Sequence, residues 1–187
     1  MKGLASFVLC FLAIMPAMAQ EKPTPALPSN DQIKLLVAQS RRAFDAYKDA
    51  ISLEGTLVNK ESADKDREVL PPAATLLDNI QKNPELFNGP MGFFLVTMLD
   101  DASRNMAVCS GQAGMMTISA EQEGRTAEAL TKIQGATICL DASTLLYTVS
   151  ETAVDMYQNA LLSLYALQQQ STALLEKCTG LLQQKKQ

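Results

Sequence analysis

Apolar residues recur along this chain at steps of three and four, and no stretch shows the alternation that marks a strand. Ser29 and Gln32 form a capping box, in which each satisfies a free backbone donor of a first helical turn. Behind it Ile33, Leu36, Val37, Ser40, Phe44, Tyr47 and Ile51 line one face, with Lys34, Arg41, Arg42, Asp45 and Lys48 away from it. The spacing predicts a helix that Gly55 weakens and that the charged run 60–68 ends before Pro71-Pro72. In that run Lys60–Asp64 and Glu61–Lys65 are helix-compatible pairs, and it reads as a solvated helix end.

A shorter helix over 72–82 buries Leu76, Leu77 and Ile80, and the Pro and Gly of 83–90 mark a turn. A third helix runs over 91–116, loosened at its end by Gly111 and Gly114, with a turn at Glu121-Gln122-Glu123-Gly124. A fourth covers 126–139, and Asp141 or Ser143 caps a fifth that continues to Gln184. In this last segment Ala160, Leu164, Leu167, Ser171, Leu174, Cys178 and Leu181 alternate steps of four and three, the spacing of a coiled-coil seam. The pattern predicts an all-α protein: an elongated antiparallel helical bundle with one or two long helices.

The first 28 residues depart from this pattern. Lys2, the apolar run Leu4–Met15, Pro16 and Ala17-Met18-Ala19 form a secretory signal peptide, 1–19, with cleavage between Ala19 and Gln20. A retained membrane anchor is the rival, opposed by Pro16 and the Ala-x-Ala site. Lipid attachment at Cys10 is set aside because the bulky Leu9 precedes it. Residues 20–28 form a flexible proline-rich leader, and 29–187 form a single helical domain. The expected location is the periplasm or the extracellular space, with no stable membrane span after cleavage.

Composition then narrows the function. Removing Lys2 with the leader moves the net charge from −4 to −5, which disfavours nucleic acid as a partner. The chain has no histidine, so the commonest general base and zinc ligand is missing, and it has no tryptophan. No nucleophile elbow or phosphate loop occurs. Asp100-Asp101 is a candidate carboxylate pair for a hydrolase, but adjacent helical positions point apart, and a solvated pair is the simpler reading.

Three cysteines remain after cleavage. Cys109 and Cys139 lie fifteen residues either side of Gly124, at one height on the arms of a helical hairpin centred there. That favours a Cys109–Cys139 disulfide, with pairing to Cys178 the alternative; no Cys-x-x-Cys redox spacing occurs. Cys178, on the apolar stripe, is then a free and buried thiol. Met91, Met98, Met106, Cys109 and Met116 share a helical face that would suit Cu(I), although methionine fills bundle cores equally well.

Leu130-Thr131-Lys132-Ile133-Gln134 resembles the Leu-Thr-x-x-Gln signature of small periplasmic helical stress proteins. It fixes three common residues and occurs once, mid-helix, so it assigns no family. The sequence therefore predicts an exported, non-catalytic helical protein without a cofactor, acting through a protein partner or self-association. An envelope accessory, a chaperone-like binder and a secretion-assembly component all fit. A Cu(I) or small-ligand carrier is the alternative, and a carboxylate hydrolase is third.

Overall fold

A computed structural model describes the backbone of residues 25–184 and side chains as far as 178. The signal peptide, its Ala19–Gln20 cleavage site and leader residues 20–24 lie outside the described residues. Within them the protein is all-α, with no strand. Helix α1 is Asn30–Leu57, α2 Lys60–Arg67, α3 Leu70–Lys82, α4 Pro90–Gln122 and α5 Thr126–Gln184; a 3-10 turn, Pro84–Asn88, joins α3 to α4.

Ser29 caps α1 with the predicted box: its hydroxyl accepts from the Gln32 amide and Gln32 accepts from the Ser29 amide. The apolar face read from the sequence, Ile33 through Ile51, is the buried face of this helix. The charged run does not fray from α1. Asn59 accepts from the amides of Glu61 and Ser62 and so starts a separate helix, α2. The pairs that form on it are Lys65–Glu61 and Arg67–Asp64. Helix α3 begins at Leu70, because Pro71 and Pro72 occupy the first turn, where no intrahelical N–H is needed.

Two expected interruptions do not occur. Gly111 and Gly114 leave α4 intact to Gln122. Cys139 is no helix end either: α5 runs unbroken for 59 residues, roughly 88 Å at 1.5 Å per residue. Asp141 and Ser143 are interior residues of that helix, not caps. No proline lies between Thr126 and Gln184, and single glycines cost a helix only ~1 kcal/mol, which packing outweighs. The true turn is at Gly124, whose φ of 73° suits a residue without a Cβ.

Pairings along the helices give their directions. Ser103 meets Ser143, Cys109 meets Cys139, and Phe87 stacks edge-on against Tyr157, so α4 and α5 are antiparallel. Lys132 donates to the Leu57 carbonyl and Ser163 to the Pro25 carbonyl, so α1 also runs antiparallel to α5. Helix α5 is thus the spine on which α1 and α4 both lie.

The core of large residues is formed by Ile33, Leu36, Val37, Phe44, Tyr47 and Ile51 of α1, Leu77 and Ile80 of α3, and Phe87 of the turn. Leu95, Leu99 and Met106 of α4 and Leu146 of α5 complete it. Each such side chain contributes about 1.5–3 kcal/mol through burial, which holds the short α3 against α1. Further along α4 the buried residues become small: Cys109, Ala113, Thr117 and Ala120.

Candidate functional site

Charge is distributed unevenly over this frame. Helix α1 carries eight charged residues in 28, and α2 six in eight. Helix α4 carries four in 33, and α5 seven in 59. The molecule therefore has a charged side, α1 and α2, and a weakly charged side formed by α4 and α5.

The weakly charged side is also where large apolar residues are exposed. Towards the hairpin tip the inward positions are small, and the outward ones are Val108, Met115 and Ile118 on α4 with Leu130 and Ile133 on α5. Met115 is 74% exposed. Val108, Met115 and Ile118 are seven and three residues apart, which places them on one α4 face, turned away from Cys109 and Ala113. Single exposed apolar residues are ordinary; several large ones gathered at one end of a hairpin are the more usual mark of a binding surface. Neither the small seam nor the outward set was read from the sequence. The signal was available in Val108, Met115 and Ile118, which lie on the side of the helix opposite Ala113, Thr117 and Ala120 and are larger than the seam residues.

Nearer the middle, a groove opens between α4 and α5, lined by Val96, Thr97, Asp100, Tyr147, Ser150, Glu151, Val154 and Asp155. The Tyr147 hydroxyl donates to Glu151 at 2.7 Å, and this bond holds the phenol above its ordinary pKa. Asp100 is engaged by Arg104 at 2.8 Å, and Asp101 is exposed. Three carboxylates thus line an open groove, each of the two nearest the tyrosine side already bonded to a neighbour. Adjacent Asp100 and Asp101 do not converge.

The seam between α4 and α5 is tied at two points. Ser103 Oγ donates to the Ser143 carbonyl at 3.0 Å and Ser143 Oγ donates to the Ser103 carbonyl at 2.9 Å, both buried. Nearer the hairpin tip, six residues along α4 and four along α5, Cys109 and Cys139 form a buried pair at disulfide distance, with Cα atoms 6.1 Å apart. The Cys109 sulfur therefore faces Cys139, not a methionine cluster. Met98 is half-buried, Met106 buried and Met116 exposed. From Met91 to Met116 the helix rises roughly 38 Å, so these side chains cannot surround one ion. Among the described residues no cluster of three or more cysteine or carboxylate ligands occurs. Cys178 is a free thiol and is exposed, not buried as its place on the stripe suggested, because no other described helix reaches that part of α5.

One polar cluster was not anticipated. Tyr47 and Glu54 of α1, Asp66 of α2 and Asn105 of α4 meet beneath the charged side, where Asn105 donates to Asp66 at 2.6 Å. Glu54 is only 2% exposed. The Tyr47 hydroxyl, one Glu54 oxygen and one Asp66 oxygen have no hydrogen-bond partner among the described residues. Burial raises the pKa of Glu54 and Asp66, and the nearby Asp66 raises Glu54 further. Burial likewise pushes the Tyr47 phenol up. The Asn105–Asp66 bond and the burial of Glu54 pin α2 over the C-terminal end of α1. Asp66 belongs to the run that reads as solvated, and its burial corrects that reading for this residue.

Among the described residues no helix is long and apolar enough to cross a membrane. Compared with models of protein families, with curated proteins and with solved structures, the chain matches none.

Proposed function

We propose that this protein is exported and acts without catalysis, by presenting the exposed apolar residues of the α4–α5 hairpin tip to another protein of the cell envelope. An accessory factor, a chaperone-like binder or a part of a secretion assembly would use such a face. The observation that carries the reading is the inversion near the hairpin tip: small residues fill the seam while Val108, Met115, Ile118, Leu130 and Ile133 face outward. A monomer gains nothing in stability from large apolar side chains on its exterior, so their concentration at the hairpin tip favours a bound partner. The paired Cys109 and Cys139 and the leader 1–19 support an oxidising compartment.

The test has two parts. Expressed in bacteria with its own leader, the protein should be recovered from the periplasm with Gln20 as its first residue; a chain beginning at Met1 in the cytoplasm overturns export. The double variant Met115→Glu/Ile118→Glu changes only exposed positions and should keep the circular dichroism and melting point of the parent. It should lose an envelope protein that the parent retains through affinity purification. Equal recovery of that protein by both forms overturns the docking role of this face.

A further inference from the structure

Beyond Ser163, α5 extends past the other described helices. Among its described side chains the last buried one is Ser163, whose hydroxyl donates to the carbonyl of Pro25, the first described residue. Twenty-one residues of helix follow, roughly 30 Å, without α1 or α4 beside them. Such a helix is marginal in water by itself, since most helical stability in proteins comes from packing an apolar face.

The face is there. Ala153 and Ala160, buried in the body, lead into Leu164, Leu167, Ser171, Leu174 and Cys178, and the sequence continues the spacing to Leu181. This is one continuous stripe, buried as far as Ala160 and exposed afterwards, with only Pro25 and Leu27 lying beside it at Leu167; Leu174 is 62% exposed. On the export reading proposed above, on which this step rests, cleavage at Ala19 leaves only Gln-Glu-Lys-Pro-Thr ahead of Pro25, a polar segment that does not suit the stripe as a cover.

We infer that the occupant is the same segment of a second copy, packed antiparallel about a two-fold axis to give a homodimer joined through the C-terminal end of α5. Three features select it. First, the steps from Leu164 to Leu181 are three, four, three, four and three, a series that reads the same in both directions. Reversal about its centre sets Leu164 against Leu181, Leu167 against Cys178 and Ser171 against Leu174 of the second copy, the register of an antiparallel coiled coil. Second, α1 runs antiparallel to α5 and begins at Asn30, and of the described chain ahead of it only Pro25 and Leu27 lie beside Leu167, so beyond that point an antiparallel helix from a second copy can follow the same direction. A parallel helix would drive the two bodies together at Ser163. Third, between Met156 and Gln184 the only charges are Glu176 and Lys177, which cancel. Two acidic molecules can approach here without the repulsion felt elsewhere. The inference does not depend on the docking role of the α4–α5 tip, which uses other residues at the opposite end of α5.

The mature protein, from Gln20, should show twice the protomer mass by light scattering at tens of micromolar. Leu167→Glu and Leu174→Glu should each halve that mass while leaving the melting of the body unchanged. A register test adds one thiol: Leu167→Cys should be converted by a copper–phenanthroline oxidant to a covalent dimer through Cys178 of the second copy. The parent should not crosslink, because its two Cys178 thiols lie eleven positions out of register. A monomeric parent, a dimer that survives both glutamate substitutions, or efficient Cys178–Cys178 crosslinking in the parent overturns the proposal.

Discussion

Replacing Cys109 and Cys139 together by alanine opens a covalent loop whose ends lie 30 residues apart. In the chain-entropy account, closing such a loop removes about 12 cal/mol/K from the unfolded ensemble, which is worth about 3.6 kcal/mol at room temperature. The native side loses little. Both sites are buried in a seam of small residues, where alanine already occupies Ala113 and Ala120, so the double substitution removes two sulfurs and leaves a small space. For a chain of this size, roughly 2–4 °C of melting temperature accompanies each kcal/mol, so the midpoint should fall by roughly 7–14 °C. With no tryptophan in the chain, far-ultraviolet circular dichroism in guanidinium is the suitable readout. Reductant should bring the parent down to the double variant and leave the double variant unmoved. A loss below about 1 kcal/mol, with the disulfide shown by mass spectrometry in the parent, would refute the loop-entropy reasoning and imply that the hairpin persists in the unfolded chain.

Three further outcomes follow from particular contacts. A Cβ at Gly92 would stand 2.0 Å from the Phe87 carbonyl oxygen and 2.8 Å from Tyr157 Cδ2, whereas one at Gly114 meets nothing within 4 Å. Gly92→Ala should therefore cost on the order of 1–3 kcal/mol and Gly114→Ala should gain about 0.5–1 kcal/mol, both read by chemical denaturation. Ser29→Ala removes the bond to the Gln32 amide and should lower stability by about 1 kcal/mol, while Ser29→Asp should retain it. Glu54 and Asp66 hold their protons more tightly folded than unfolded. The stability this gives is full below the ordinary carboxylate pKa, about 4, and is lost as pH rises through the raised folded values. Glu54→Gln should flatten that fall, and an unchanged pH profile would mean that the pair is not buried as described.

The helices were legible wherever one face was apolar and the other charged. Helix α1 is the clear case: Ser29 and Gln32 mark its start, and Ile33 to Ile51 its buried face. The break expected after Cys139 failed for a physical reason. Asp141 and Ser143 are cap-type residues, but a cap is needed only where backbone donors lose their partners, and within α5 they do not. Ser143 instead bonds across to Ser103, a pairing 40 residues apart that no local pattern announces. The polar cluster was hidden in the same way, since Glu54, Asp66 and Asn105 come from three helices. The inverted hairpin tip escaped because apolar residues occur all round α4 and α5, so periodicity does not tell inward from outward. Cys178 shows the converse: its spacing matches a buried stripe, but the helix has left its partners behind before it reaches that residue.

Site-specific photocrosslinking in living cells tests the docking face most directly. A photoreactive residue introduced at Met115, on the apolar face, is compared with one at Arg42, on the charged side; both positions are exposed. The account predicts a discrete adduct with a different envelope protein from Met115 and none from Arg42. The same adducts from both positions, or no heterologous adduct from Met115 in cells that export the protein, would contradict it.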